Sequence, residues 1–118
     1  MHAMLSSIGA LLAGGAAGVL ARCFVTGWLP WGTVAVNLSG CFLMGAFDAA
    51  ATRRGFGGPH GRTMLLAGFC GAYTTFSALI FELDALLRAA PLKGGAYLVV
   101  SVAAGLALFR FGSLVGAR

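Results

Sequence analysis

Charged side chains are scarce in this chain, and acidic ones are the scarcest. Of its 118 residues, three are Asp or Glu and eight are Lys or Arg. The charged share is therefore 9%, against about 25% in soluble domains. Hydrophobic residues make up 59% of the chain and the mean hydropathy is +0.93. This composition excludes an ordinary water-soluble domain and places the chain in a lipid bilayer.

The residue patterns of enzymes are also missing. His2 and His60 lie in polar ends, and no catalytic triad, metal-ligand spacing or glycine-rich phosphate loop is present. Cys23, Cys41 and Cys70 are widely spaced and form no CxxC motif, which is typical of small packing residues. The basic residues are scattered instead of forming an aromatic-laced patch. We therefore expect neither an enzyme nor a nucleic-acid partner.

Long apolar runs are what the chain does contain. They cover residues 5–27, 32–51, 63–90 and 95–111. One helical crossing needs about 20 apolar residues, so a chain of this length accommodates at most four crossings. The sequence predicts an all-α membrane protein whose residues 1–118 form one domain of four transmembrane helices.

The third run is too long for one straight crossing, and its middle is poor in helix formers. Residues 68–77 read GFCGAYTTFS, in which glycines and β-branched threonines lower helix propensity. At about 1.5 Å per residue, Thr74 lies roughly 16 Å along the run, near the bilayer midplane. A break there would free carbonyl groups for a hard cation such as Na⁺. The alternative is a continuous helix in which Gly68 and Gly71 pack closely and Thr74 and Thr75 bond back to their own turn.

Several polar side chains interrupt the apolar runs. Asn37 lies about two turns into the second run, where its amide needs a partner, either an ion or a neighbouring helix. Tyr97 and Ser101 share one face of the fourth run and offer two hydroxyl donors. Glu82 has no basic partner nearby, whereas Asp84 is four residues before Arg88 and can pair with it.

The basic residues give little preference for either orientation in the membrane. With both termini on one side, five basic residues would lie on that side and three on the other. Orientation normally follows a Lys/Arg asymmetry, so this balance allows insertion both ways. An inverted pair would place a two-fold axis in the membrane plane, and a site on that axis would lie at the midplane.

Three stretches together resemble one family. They are Gly14–Gly18 with Ala21 and Arg22, Gly32–Asn37 (GTVAVN) and Gly68–Ser77. These stretches resemble the Fluc (CrcB) fluoride channel family, and the likeness spans all four runs. It implies a passive channel that exports cytoplasmic fluoride from the bacterial inner membrane. It also implies a dual-topology homodimer of inverted subunits, with two fluoride pores and one structural Na⁺ at its centre.

The same resemblance assigns roles to individual residues. The main-chain carbonyls of Gly71 and Thr74 would hold the sodium, Asn37 would donate to fluoride, and Phe76 would be a pore aromatic. The ring edge of a phenylalanine is positive and can contact a small anion, although plain packing is the commoner role. The polar track would include Thr75, Ser77, Tyr97 and Ser101, and the candidate pore or vestibule residues are Arg22, Leu79 and Glu82.

One departure from the family pattern concerns the pore aromatics. The family often has a second phenylalanine three residues after the first, and Leu79 occupies that position here. Phe76 could suffice alone, Phe81 could substitute, or a second, complementary subunit could supply the ring. Two other functions remain open: a proton-coupled small multidrug-type transporter, which would need an acid absent from the first run, and a non-conducting scaffold subunit.

Overall fold

The fold consists of helices joined by short turns. The computed structural model describes residues 1–55 and 57–118. Helix α1 covers His2–Trp28, α2 covers Gly32–Arg54, α3 covers residues 58–73, α4 covers Phe76–Ala89 and α5 covers Pro91–Gly116. In the described residues, four segments are long and apolar enough to cross a membrane, the third being α3 together with α4. The predicted all-α fold with four transmembrane segments is therefore confirmed.

The turns between the helices have clear causes in the sequence. Gly55 ends α2 in the left-handed conformation at φ 64°, which glycine adopts without strain, and its N–H bonds the carbonyl of Ala51. Arg53 and Arg54 lie in the last turn of α2, where the helix dipole stabilises positive charge. Pro91 begins α5 at a position where its missing N–H costs nothing. The helices extend past the apolar runs into these polar ends.

Helices α1 and α3 pack together through glycines. A Cβ on Gly14 would collide with the carbonyl of Met64, and one on Gly18 would collide with the carbonyl of Phe69. Both contact positions increase along the chain, so the two helices run parallel. Gly14 and Gly18, four residues apart, thus form the kind of small-residue contact surface that is common between membrane helices.

Helices α2 and α5 form a second parallel pair. A Cβ on Gly112 would collide with the carbonyl of Phe42, and one on Gly116 with the carbonyl of Ala46, so the contact positions again increase along both helices. A Cβ on Gly45 would likewise collide with the carbonyl of Phe109. Removing side chains at these points lets the two backbones approach closely, which compensates for the weak drive of helix association in lipid. This contact fixes the position of α2, the helix that carries Asn37.

The third crossing is interrupted in its middle. It begins at Gly58, widens into a π-helical stretch at Thr63–Cys70 and closes with the turn Gly71–Tyr73. Thr74 and Thr75 are then extended, with φ,ψ of −84°,159° and −147°,116°, before α4 begins. The predicted break is confirmed and the continuous helix is wrong. The Thr74 hydroxyl does bond back to the Cys70 carbonyl at 2.9 Å, but this bond lies at the helix end.

Candidate functional site

Asn37 forms hydrogen bonds with the backbone at the break. Its Nδ2 donates to the carbonyl of Thr75 at 3.0 Å, and its Oδ1 accepts from the N–H of Thr75 at 2.7 Å. The side chain of Thr75 accepts from the N–H of Ala78 at 3.2 Å and so caps α4. Asn37 therefore has the helix-linking role that its position allows, and one of its two amide hydrogens is already in use.

The break leaves several carbonyls without their helical donors, and this bonding identifies two of them. In an uninterrupted α-helix the N–H of Thr75 would bond Gly71, and the N–H of Ala78 would bond Thr74. Here those two N–H groups go to Asn37 and to the Thr75 hydroxyl instead. These two carbonyls belong to Gly71 and Thr74, to which the sequence resemblance assigns sodium. The carbonyls of Ala72 and Tyr73, at the same helix end, also lack helical donors.

A hollow of about 310 Å³ opens beside the break. It brings together six of the sequence-derived candidates: Asn37, Thr74, Thr75, Phe76, Leu79 and Ser101. The remaining wall comes from Gly40, Cys41, Met44, Cys70, Val102 and Phe109. Polar groups from α2, the break and α5 thus converge on a largely apolar space, the usual composition of a small-ligand site.

Glu82 lies outside this hollow and is bonded from two sides. Thr33 donates to its Oε1 at 2.6 Å, and Tyr97 donates to its Oε2 at 2.8 Å. Glu82 and Tyr97 line a second, open hollow on the surface of α4 and α5. The hydroxyl of Tyr97 is therefore engaged with Glu82, whereas Ser101, one turn along α5, reaches the hollow of Asn37.

Thr33 is a site residue that the sequence reasoning missed. It is buried and stands one helical turn before Asn37 in the stretch GTVAVN. Residues four apart lie on one face of a helix, so the spacing of Thr33 and Asn37 was a usable signal.

The other candidates take separate positions. The Ser77 hydroxyl lies 3.4 Å from that of Thr75, at the start of α4. Arg22 is half-buried in α1 and does not line the hollow beside the break. Gly71 is exposed, and a Cβ there would meet nothing of its own chain nearer than the carbonyl of Leu66 at 3.9 Å. Asp84 bonds Arg88 at 3.1 Å, as its spacing predicts.

The aromatic residues around the break divide into two groups. Phe76 lines the hollow and is 74% exposed as a residue. Phe81 lines the second hollow with Glu82 and is not part of the wall that contains Phe76. The wall does hold one more ring, that of Phe109 from α5, together with Leu79. Phe109 continues the four-residue spacing of Tyr97 and Ser101 on α5, so its place on that face was a usable signal that the sequence reasoning did not follow.

The chain matches known proteins along most of its length. A family model described as CrcB-like protein, Camphor Resistance (CrcB), matches residues 9–113. A protein of Rhizobium etli is 42% identical over 115 residues, which cover 82% of this chain and 90% of the relative. One of Solidesulfovibrio magneticus is 44% identical over 93 residues, or 72% and 74% of the two chains. One of Rhizobium leguminosarum bv. trifolii is 41% identical over 113 residues, or 86% and 89%.

All three relatives carry the name fluoride-specific ion channel FluC, which agrees with the expectation that the chain is not an enzyme. The matched residues include the three stretches on which the resemblance rests. They also include the whole of the interrupted third crossing. This chain belongs to the CrcB family of multi-pass membrane proteins.

Proposed function

We propose that this chain forms a fluoride-selective channel through which fluoride leaves the bacterial cytoplasm passively. The observation that carries the proposal is the break at Thr74 and Thr75, which Asn37 holds beside the hollow. Irregular backbone in the middle of a crossing survives only where protein buries it or where it lines a watery or ionic path. The name shared by the three bacterial relatives, fluoride-specific ion channel FluC, supports fluoride as the ion.

The hollow offers weak donors suited to a small anion. One amide hydrogen of Asn37 bonds the Thr75 carbonyl, which leaves the other to donate to fluoride. Ser101 adds a hydroxyl, and Phe76 adds the positive edge of its ring. None of these groups carries a full charge, so the ion is bound firmly enough to enter and weakly enough to leave. Larger anions are excluded because they fit a narrow, desolvating passage poorly.

Phe109 supplies the second ring of the path. Leu79 replaces the phenylalanine that relatives of this type often have, and both Leu79 and Phe109 line the wall that contains Phe76. A ring placed there from α5 gives the ion a second aromatic edge without any change in α4. Phe81 is left out of this role because it lines the other hollow.

The released carbonyls of Gly71 and Thr74 would hold a structural Na⁺. Main-chain carbonyl oxygens are the hard ligands that such cations take at broken helices. The open space around Gly71 fits this assignment, because its own chain leaves the face clear. A bound Na⁺ would supply fixed positive charge at the break and tie the two halves of the crossing together.

A second, inverted copy of the chain completes both sites. A single chain offers only two carbonyls to the cation, and hard cations take more oxygen ligands than that. The ring of Phe76 and the face of Gly71 are exposed in one protomer. An inverted partner would cover them, close the hollow into a pore, and contribute the same two carbonyls from the opposite direction.

Passive flow is sufficient for export. Hydrogen fluoride is a weak acid that crosses membranes as a neutral molecule and dissociates in the less acidic interior. An inside-negative membrane potential then drives the trapped anion outward through any selective path. The channel therefore needs no coupled proton or nucleotide.

Fluoride efflux from liposomes containing the purified chain tests the proposal. Fluoride-loaded vesicles, with the potential clamped by potassium and valinomycin, should release fluoride rapidly into an electrode chamber, and chloride-loaded vesicles should not. A proton-coupled transporter would give flux that follows the imposed pH gradient, and a scaffold subunit would give none. Either result contradicts the proposal.

A further inference from the structure

Sulfur atoms are concentrated in the wall of the hollow beside the break. Cys41, Met44 and Cys70 all line it, which is three of the seven sulfur-bearing side chains in the chain. Cys41 and Met44 are three residues apart on α2 and so share one of its faces. Cys70 enters from the π-helical stretch of α3. Residues that carry two thiols and a thioether thus line one space from two helices.

The two thiols are unoxidised and well shielded. Cys70 is fully buried and Cys41 is half-buried, whereas Cys23 is exposed on α1. The sulfur of Cys41 also lies against α5, since a Cβ on Gly105 would meet it at 3.3 Å. Its position is therefore fixed by packing, and the hollow keeps room for an ion.

The chemistry of these donors selects a soft cation. Thiolates and thioethers bind soft metals, whereas the carbonyls of Gly71 and Thr74 bind hard ones. A divalent soft ion that takes two thiolates forms a neutral unit, and an apolar cavity strongly favours neutral groups over charged ones. Zinc prefers four ligands in a tetrahedron and is served less well by three sulfurs.

We propose that this hollow is a binding site for a soft divalent metal ion of the Hg²⁺ type. The ion would bridge the thiolates of Cys41 and Cys70, and Met44 would be a third, weaker donor. Each thiol loses its proton when it binds, so HgCl₂ and two thiols give one S–Hg–S unit and two HCl. No electron is transferred in this step. The bound ion would lie in the same hollow as Asn37 and Phe76 and would obstruct it.

Thiol counting on the full chain tests the site. The background is Cys23→Ser, which removes the exposed thiol and retains the other two. One equivalent of HgCl₂ should remove both remaining thiols from reaction with a thiol reagent in denaturant. Intact mass should show one mercury in place of two protons, with no chloride retained. In Cys23→Ser/Cys41→Ser the bridge cannot form, so the adduct should retain chloride.

Two outcomes would overturn the site. One is a need for two equivalents of HgCl₂, with a separate chloride-bearing mercury on each thiol. The other is an unchanged thiol count at one equivalent. Met44→Leu should bind the ion more weakly in competition with a small dithiol, and equal binding would remove Met44 from the donor set.

Fluoride efflux tests the obstruction separately and is the only readout that rests on the proposed function. Efflux by Cys23→Ser should be lost when HgCl₂ is added and should return with excess dithiothreitol. Full efflux with one bridging mercury per chain would overturn the obstruction. If the chain shows no efflux before metal is added, the proposed function fails, and the thiol count still decides the metal site.

Discussion

The carboxamide of Asn37 bonds both main-chain groups of Thr75, at 2.7 Å through the N–H and at 3.0 Å through the carbonyl. A side-chain amide has the same donor and acceptor as a peptide group, so Asn37 replaces the helical acceptor that the N–H of Thr75 has lost and adds a donor to its carbonyl. Because the replacement comes from α2, the break is anchored to the α2–α5 pair. The interrupted backbone is therefore a fixed part of the structure.

Two substitutions of Asn37 should distinguish its hydrogen bonds to Thr75 from its proposed contact with fluoride. Asn37→Leu leaves the N–H of Thr75 unpaired, which costs about 1–3 kcal/mol, and removes the extra donor to its carbonyl. We expect loss of folded protein in size-exclusion chromatography. Asn37→Asp keeps an acceptor for the N–H but removes the donor and adds negative charge, so folded protein should persist with little flux. Thr26→Val is the control, because its hydroxyl bonds only carbonyls of its own turn in α1, and fast flux in Asn37→Asp would contradict the assigned role.

Phe76 and Phe81 form a matched pair for testing the aromatic contact. Both are exposed on α4, at 74% and 79%, but only Phe76 lines the hollow beside the break. An aromatic edge contributes about 0.5–1.5 kcal/mol, so Phe76→Ile should slow fluoride efflux by up to about tenfold. Phe81→Ile should leave efflux unchanged. Equal effects of the two substitutions would show that the ring of Phe76 has no special contact with the ion.

Thr33 is expected to stabilise the fold through Glu82. Its buried hydroxyl donates to the carboxylate at 2.6 Å, and hydrogen bonds to charged groups contribute about 1.5–3 kcal/mol. Thr33→Val keeps the shape and removes the donor, so the thermal midpoint of the chain in detergent should fall. Thr63→Val is the control, since its hydroxyl bonds only the carbonyl of Pro59 within its own turn. A midpoint unchanged by Thr33→Val would mean that Glu82 is satisfied without it.

Adjacent glycines of α1 should respond in opposite ways to alanine. A Cβ on Gly14 meets the backbone of Met64, whereas one on Gly15 meets nothing within 4 Å. Gly14→Ala should destabilise the chain by about 1–3 kcal/mol through overpacking. Gly15→Ala should be neutral or stabilising, because alanine is the better helix former by about 1 kcal/mol. The two thermal midpoints, measured side by side, decide whether α1 and α3 contact as described.

Gly71 offers a test of the sodium site and the inverted partner. Its own chain leaves room for a side chain, so Gly71→Leu should still fold. We expect the variant to run as a smaller species than the parent in size-exclusion chromatography and to lose any stabilisation by Na⁺ over K⁺. A variant that keeps both the parent's size and its sodium response would contradict the sodium and dimer assignments.

The sequence was sufficient to predict the four crossings and the position of the break. Hydropathy and length determine the crossings, and the cluster of glycines and threonines around Thr74 weakens one helix at one depth. Spacing along one helix also predicted the Asp84–Arg88 pair. These features depend on neighbours in the chain, which is why they could be read from it.

Contacts between distant residues could not be predicted in this way. The bonds from Thr33 and Tyr97 to Glu82 link residues 49 and 15 positions apart. Phe109 reaches the hollow because the glycines of α2 and α5 let those helices approach. Such contacts follow from crossing angles and packing, which hydropathy and propensity leave undetermined. The widened turns of Thr63–Cys70 likewise give no signal in propensity.

The π-helical stretch Thr63–Cys70 determines the direction in which the backbone groups after it point. An α-helix turns about 100° per residue, so a single residue accommodated in a looser coil rotates the following groups by nearly a third of a circle. Gly71 and Thr74 come immediately after it. Shortening the stretch by one residue would point their carbonyl oxygens in another direction, although both proposed sodium ligands would still be present. The number of residues in Thr63–Cys70 therefore determines the direction of the two carbonyls that follow it.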